Sequence, residues 1–152
     1  MNGNHIAAVV LAAGASARLG KPKQLVQITG STLVHRTIEI ALNSGCSPVI
    51  VVLGANAKAV REKICHLKIQ CITNEKWMNG MGTSIACGVK AASVSTPAGC
   101  VILQCDQIKL NIEVLSLLID RFKKVDVHAV ASAYDGTIGP PTIFSKLLFK
   151  DL

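Results

Sequence analysis

Aromatic side chains are scarce: Phe, Trp and Tyr together make up 3% of the 152 residues, with a single Trp and a single Tyr. The core must therefore be built from Ala, Val, Ile and Leu, as suits a parallel sheet covered by helices. The same scarcity leaves no platform for stacking nucleobases, and no basic run is interleaved with aromatics, so nucleic acid is not the expected partner. Acidic residues are missing from the first 38 positions, where Arg18, Lys21, Lys23 and Arg36 precede the first carboxylate, Glu39. The formal charge is +7, and its concentration near the N-terminus favours a polyanionic small molecule. The six cysteines include no C-x-x-C pair and fit neither a zinc site nor a secreted disulfide framework. No apolar run approaches the ~20 residues needed to span a bilayer, and Met1 to His5 lacks a charged leader followed by a cleavage site. The expectation is a cytoplasmic protein with no membrane partner. At this length one domain is expected, spanning 1–152, large enough to bury about two thirds of its unfolded surface without disulfides.

What is present begins at Ile6. Ile6 to Leu11 is apolar and branched, as in a strand buried on both faces, and at Ala12 it gives way to small residues and cations. Ala12, Ala13, Gly14, Ala15, Ser16 and Ala17 carry little bulk, so a ligand can reach backbone N–H groups, with Arg18, Lys21 and Lys23 close behind. This pattern points to phosphate handling. It is not a Walker loop, because the Gly14 to Gly20 spacing is one residue too long and Pro22 replaces the hydroxyl; nor is there a third glycine for the dinucleotide fingerprint.

Further along, Ser31 is the expected cap of a helix whose stripe is Leu33, Val34, Ile38, Ala41 and Leu42, with His35 and Arg36 toward solvent. Pro48 to Leu53 reads as a second buried strand, Asn56 caps a second helix running to about His66, and Ile69 to Thr73 reads as a third strand. Strand, helix, strand, helix, strand is one half of a doubly wound sheet, and right-handed crossovers put the loops at Ala12, Gly54 and Asn74 on one edge. Gly82, Thr83 and Ser84 are expected to open a hydroxyl-capped helix, with Trp77 serving as a lid or packing anchor. Cys100 to Gln104 forms a fourth strand delivering Asp106 to the same edge, where a carboxylate can hold a hard cation such as Mg²⁺. Asn111 caps a helix with Val114, Leu115, Leu118, Ile119 and Phe122 inward, and Val127 to Ala133 is a fifth strand ending in the turn Tyr134-Asp135-Gly136. Cys105, beside Asp106, is a candidate sensor of oxidants or metals.

The loop Leu11-Ala12-Ala13-Gly14-x-Ser16-x-Arg18-x-Gly20-x-Pro22-Lys23-x-Leu25 resembles the signature of nucleotidyltransferases that join a nucleoside triphosphate to a phosphorylated acceptor. With Asn74-x-x-Trp77-x-x-Gly80-Met81-Gly82-Thr83-Ser84 and Cys105-Asp106-Gln107, it looks most like the molybdenum cofactor cytidylyltransferase branch of the MobA-like NTP transferases. Gly139-Pro140-Pro141 resembles that family's acceptor-side element. The resemblance implies an α/β three-layer fold with a mostly parallel, Rossmann-like sheet of the nucleotide-diphospho-sugar transferase type. It also implies transfer of a cytidylyl group from CTP to a molybdopterin-type acceptor with release of pyrophosphate, and leaves room for a molybdoenzyme maturation partner.

Under this resemblance Arg18 and Lys23 neutralise the triphosphate and Asp106 holds Mg²⁺. Leu11, Ala12, Ala13, Gly14, Ser16, Asn74, Gly80, Gly82 and Ser84 hold the nucleotide. The sequence departs from the family at Ile108, where proline is usual, and at Gln104-Cys105, which replace smaller apolar residues; both departures imply a looser metal loop. A further Gly-Asp-x-Gly segment, whose aspartate shares the metal, is expected beyond Leu152, so the chain reads as cut short. Two alternatives stay open: a sugar-phosphate or methylerythritol-phosphate nucleotidyltransferase, and a nucleotide-binding remnant without turnover.

Overall fold

The computed structural model describes residues 4–16 and 19–152. The first elements are strand β1 (Ile6–Ala12), a small antiparallel pair β2 (Gln27–Ile28) and β3 (Ser31–Thr32), and helix α1 (Leu33–Asn43). There follow β4 (Val49–Leu53), α2 (Ala57–Ile64), β5 (Gln70–Thr73), α3 (Met81–Ser93) and β6 (Gly99–Gln104). Helix α4 (Ile112–Lys124) precedes a hairpin of β7 (Ala129–Tyr134) and β8 (Thr137–Ser145).

The main sheet runs β5-β4-β1-β6-β8-β7. Its first four strands are parallel, β8 is antiparallel to both neighbours, and β1 lies at the centre. Parallel strands joined by crossover helices expose neither face, which explains the unbroken apolar runs of β1 and β4. Successive side chains point to opposite faces. Ala8, Val10, Val51, Leu53, Val101 and Leu103 pack with α1, α2 and α4, whereas Ala7, Val9, Ile50, Val52, Cys100 and Ile102 pack under α3. Three layers result. Gly88 sets the depth of α3, since a Cβ there would collide with Val9 Cγ1.

Because β1, β4, β5 and β6 are parallel, their C-terminal ends meet on one edge, and the antiparallel hairpin brings the start of β8 and the end of β7 to it as well. The hairpin turn is Asp135-Gly136, both at positive φ (+49° and +73°), the left-handed pair that a two-residue hairpin loop requires. Pro140 and Pro141 fall where the β7–β8 register slips between Ala131 and Ser132, a position that needs no ladder N–H.

Several local expectations shift. Thr32, not Ser31, caps α1 by accepting from His35 N; Ser31 Oγ instead lies 3.1 Å from His35 Nδ1. Asn56 occupies the N-cap position of α2 without a side-chain cap bond. Helix α3 starts at Met81 behind Gly80 at φ +107°, so Thr83 and Ser84 lie inside the helix and do not cap it. Val114 is 41% exposed, while Leu115, Leu118 and Ile119 carry the inward face of α4. The sequence shows one further strand, β8, only as an acceptor-side motif.

Candidate active site

The loop after β1 is held from below. Gln24, on the 3-10 turn Lys23–Leu25, is 5% exposed, and its Nε2 donates to Ala12 O at 3.1 Å and Gly14 O at 2.8 Å. Ser16 takes φ +56°, and its Oγ accepts from Lys23 N at 2.9 Å. The N–H groups of Gly14, Ala15 and Ser16 form no hydrogen bond with other described residues. Free backbone donors around a left-handed residue make a concavity suited to an anion. Arg18 lies outside the described residues.

Opposite the loop stands the block after β5. Asn74 is 6% exposed and fully used: its Nδ2 donates to Thr83 Oγ1 and Ser84 Oγ, and its Oδ1 accepts from Lys76 N. It therefore braces the entry to α3 rather than facing a ligand. Trp77 is a packing anchor, half-buried against the α3-side core. Gly54 makes this junction possible, because a Cβ there would come within 2.5 Å of Ala13 O and 2.9 Å of Trp77 Cβ.

The third side is Asp106, just past β6. Its Oδ2 lies 2.8 Å from Lys23 Nζ, both side chains being nearly half exposed. The Asp106 loop is braced despite Ile108. Arg36, expected at the solvent edge of α1, donates from Nη2 to Leu110 O at 2.6 Å, and Gln107 Nε2 donates to Pro140 O. These two bonds tie the loop to α1 and β8. Cys105 is buried, with its thiol pushed up to about 12 by burial and then by the neighbouring Asp106 charge. Its Sγ donates to Leu11 O at 3.4 Å. A protonated, enclosed thiol is a poor nucleophile and ligand, which counts against the sensor role.

These three sides enclose a pocket of ≈ 440 Å³. Leu11, Ala13, Gly14, Ser16, Lys23, Gly80, Ser84 and Asp106 line it as the sequence implied; Ala12 and Asn74 are buried outside its lining, and Gly82 is exposed outside it. Gln24, Met78, Met81 and Gln104 also line it and were missed. For Gln24 a signal existed, a polar residue beside Lys23 in an otherwise apolar stretch. A larger groove of ≈ 900 Å³ adjoins across Gln104 and Asp106, between α4 and the β7–β8 hairpin. Its walls include Ile108, Leu117, Tyr134 and Pro140, with Lys109 and Arg121 as cations.

Asp106 is the one acidic residue of the pocket, and no cluster of three His, Cys, Asp or Glu able to hold a metal occurs among the described residues. An oxygen donor beside an anion-binding loop still fits a hard cation that draws its other ligands from phosphate and water. No described helix is long and apolar enough to cross a membrane.

Known proteins share this chain's fold and sequence pattern. Nicotine blue oxidoreductase of Paenarthrobacter nicotinovorans is 43% identical over 88 residues, 57% of this chain and 43% of that protein. The chain thus spans less than half the length of that relative. The crystal structure of Rv0371c from Mycobacterium tuberculosis superposes with TM-score 0.87 at 29% identity, covering 99% of this chain and 76% of that one. A second structure of it, described as a complex with manganese, gives 0.77 at 26%, covering 97% and 74%. A nucleotidyl transferase from Methanothermobacter thermautotroptrophicus gives 0.83 at 26%, covering 98% and 75%. Residues 8–152 match the MobA-like NTP transferase domain, and it is to this family that the chain belongs.

Proposed function

We propose that the chain acts as a cytidylyltransferase, moving CMP from CTP to a molybdopterin-type acceptor with release of pyrophosphate. The observation that carries this is the Lys23–Asp106 pair, which stands at the junction of a small anion-binding pocket and a larger groove. The small pocket suits the triphosphate, whose charge the free N–H groups of the loop and Lys23 offset. The groove suits the acceptor. Its walls mix apolar side chains such as Ile108, Leu117 and Pro140 with Gln107, Lys109, Arg121 and Tyr134, so they can pack the faces of a flat heterocycle while hydrogen-bonding its polar edge and phosphate.

The acceptor phosphate attacks the α-phosphorus in line, and the bond to the β-phosphate oxygen breaks. A phosphate nucleophile is already ionised at neutral pH, so no general base is required, and no histidine lines either hollow. Lys23 moves from Asp106 to the phosphates as charge accumulates on the departing pyrophosphate. Asp106 is the residue that would hold Mg²⁺, which when bound supplies charge neutralisation across the phosphate oxygens. The manganese complex of a relative supports a divalent ion.

The choice of CTP rests on the resemblance of the three sequence blocks to the cytidylyltransferase branch. Pyrophosphate release in the presence of molybdopterin, measured with CTP and with GTP, tests it. CTP should be used in preference. Equal competition by GTP at equal concentration would move the assignment to a sister branch.

A further inference from the structure

We infer that Gln24 is a positioning residue for the nucleotide, acting through the backbone of the loop rather than by touching the reacting atoms. This rests on the reading of the small pocket as the triphosphate site. The carboxamide is oriented without ambiguity, because one of its two terminal atoms sits within 3.1 Å of Ala12 O and 2.8 Å of Gly14 O. Only an amino group can face two carbonyl oxygens, so that atom is the donor Nε2. Both N–H bonds of one side chain are thereby spent on the carbonyls of residues 12 and 14, one on each side of Ala13.

Fixing those carbonyls inward has a consequence for the donors. In each peptide plane the N–H points opposite to the C=O. With Ala12 O and Gly14 O drawn toward Gln24, the N–H groups of Ala13 and Ala15 are turned away from it. Of these, the Ala15 N–H has no partner among the described residues; nor have the flanking N–H groups of Gly14, whose peptide plane is held by Ala13 O accepting from Ala55 N, and Ser16. Ala13, Gly14 and Ser16 line the pocket. The loop has too little side-chain bulk to hold this shape itself. Four of its six residues, 12 to 17, are alanine, and a residue at φ +56° such as Ser16 is strained unless its surroundings hold it.

A second observation separates Gln24 from a simple core filler. Its Oε1 is buried with no hydrogen-bond partner among the described residues, an arrangement that folded proteins avoid. A leucine or methionine would fill the space without that penalty. The side chain is therefore kept for its donor side, which only the loop uses. The position is also protected from solvent competition, since Gln24 is 5% exposed.

The test compares wild type with Gln24→Leu and Gln24→Glu, titrating CTP and cytidine by calorimetry and recording thermal unfolding. Leucine removes both donors at similar volume. Glutamate keeps the shape and puts acceptors against two carbonyls, close to the triphosphate. CTP affinity should fall about tenfold or more for Gln24→Leu, as expected for losing two backbone contacts, and further for Gln24→Glu. Cytidine, which lacks phosphates, should bind each folded variant within about threefold of wild type. Wild-type CTP affinity in Gln24→Leu would overturn the inference, and so would a parallel loss for CTP and cytidine, which marks general damage. If Gln24→Leu does not fold, Gln24→Met carries the same expectation. A wild-type chain that binds no CTP would overturn the reading of the pocket along with the inference, a result distinct from binding that ignores Gln24.

Discussion

On one side of β6, strand β4 is buried throughout and β1 is buried at every residue but Leu11; on the other side, β7 has no buried residue and β8 has only Pro141 and Ile143. Strands β1 and β4 are covered by helices on both faces, while β5 forms a part-exposed edge. The hairpin side is covered on one face by α4 and leaves the ≈ 900 Å³ groove beside it. The small pocket is correspondingly built from rigid strand ends and a braced loop, whereas the groove is walled in part by a hairpin. Under the proposed function the nucleotide falls on the more buried half, and the acceptor on the half with less packing to hold it.

This contrast can be broken most directly by truncating one side chain in each half. Leu53→Ala, in a fully buried site, should cost about 2–5 kcal/mol, and Val130→Ala in β7 about 1 kcal/mol, both read from urea denaturation. Equal losses would mean that the hairpin is as tightly integrated as the parallel strands. Lys23→Ala should weaken CTP binding by roughly 1.5–3 kcal/mol, the scale of a charged hydrogen bond. Calorimetry showing unchanged affinity would remove Lys23 from the triphosphate site.

Two smaller effects sharpen the comparison. Gly88→Ala should destabilise by about 1–3 kcal/mol, because the new methyl meets Val9 and lifts α3 from the sheet. Gly139→Ala should stay within about 0.5 kcal/mol, since the nearest atom, Tyr134 Oη, is 3.4 Å from the Cβ position. Thermal unfolding of the pair decides it. Smallest of all, Cys105 should resist alkylation by iodoacetamide at pH 8 until the protein unfolds, because the side chain is buried and burial pushes its thiol up to about 12. Rapid labelling of Cys105 in the native state, located by mass spectrometry, would show that the β6 end opens.

The legibility of the fold follows the same division. Val49 to Leu53 and Ile6 to Leu11 are readable because strands buried on both faces must be continuously apolar. Residues 129–134, Ala-Val-Ala-Ser-Ala-Tyr, show enough alternation to suggest a strand, but their partner, Thr137–Ser145, contains two prolines that argue against one. A register slip accommodates them, and no local pattern announces it. Val114 was misassigned because the stripe on α4 is narrower than helical spacing alone implies, the groove leaving part of that helix uncovered.

The sequence by itself determined the loop of small residues, the acid-free run of cations before Glu39 and the alternation of the four parallel strands with their helices, because backbone access, charge and burial on both faces each demand particular residue types locally. Tertiary structure alone decided which polar residues line the pocket and which brace the elements around it. Asn74, implied as a ligand residue, is consumed by Lys76, Thr83 and Ser84; Gln24, unremarkable in the chain, clamps two carbonyls; Arg36, expected at the surface, ties down the loop after Asp106. Polar side chains of this kind have several possible partners. The one they take depends on what the fold brings within about 3 Å, a distance set by packing between elements far apart in sequence.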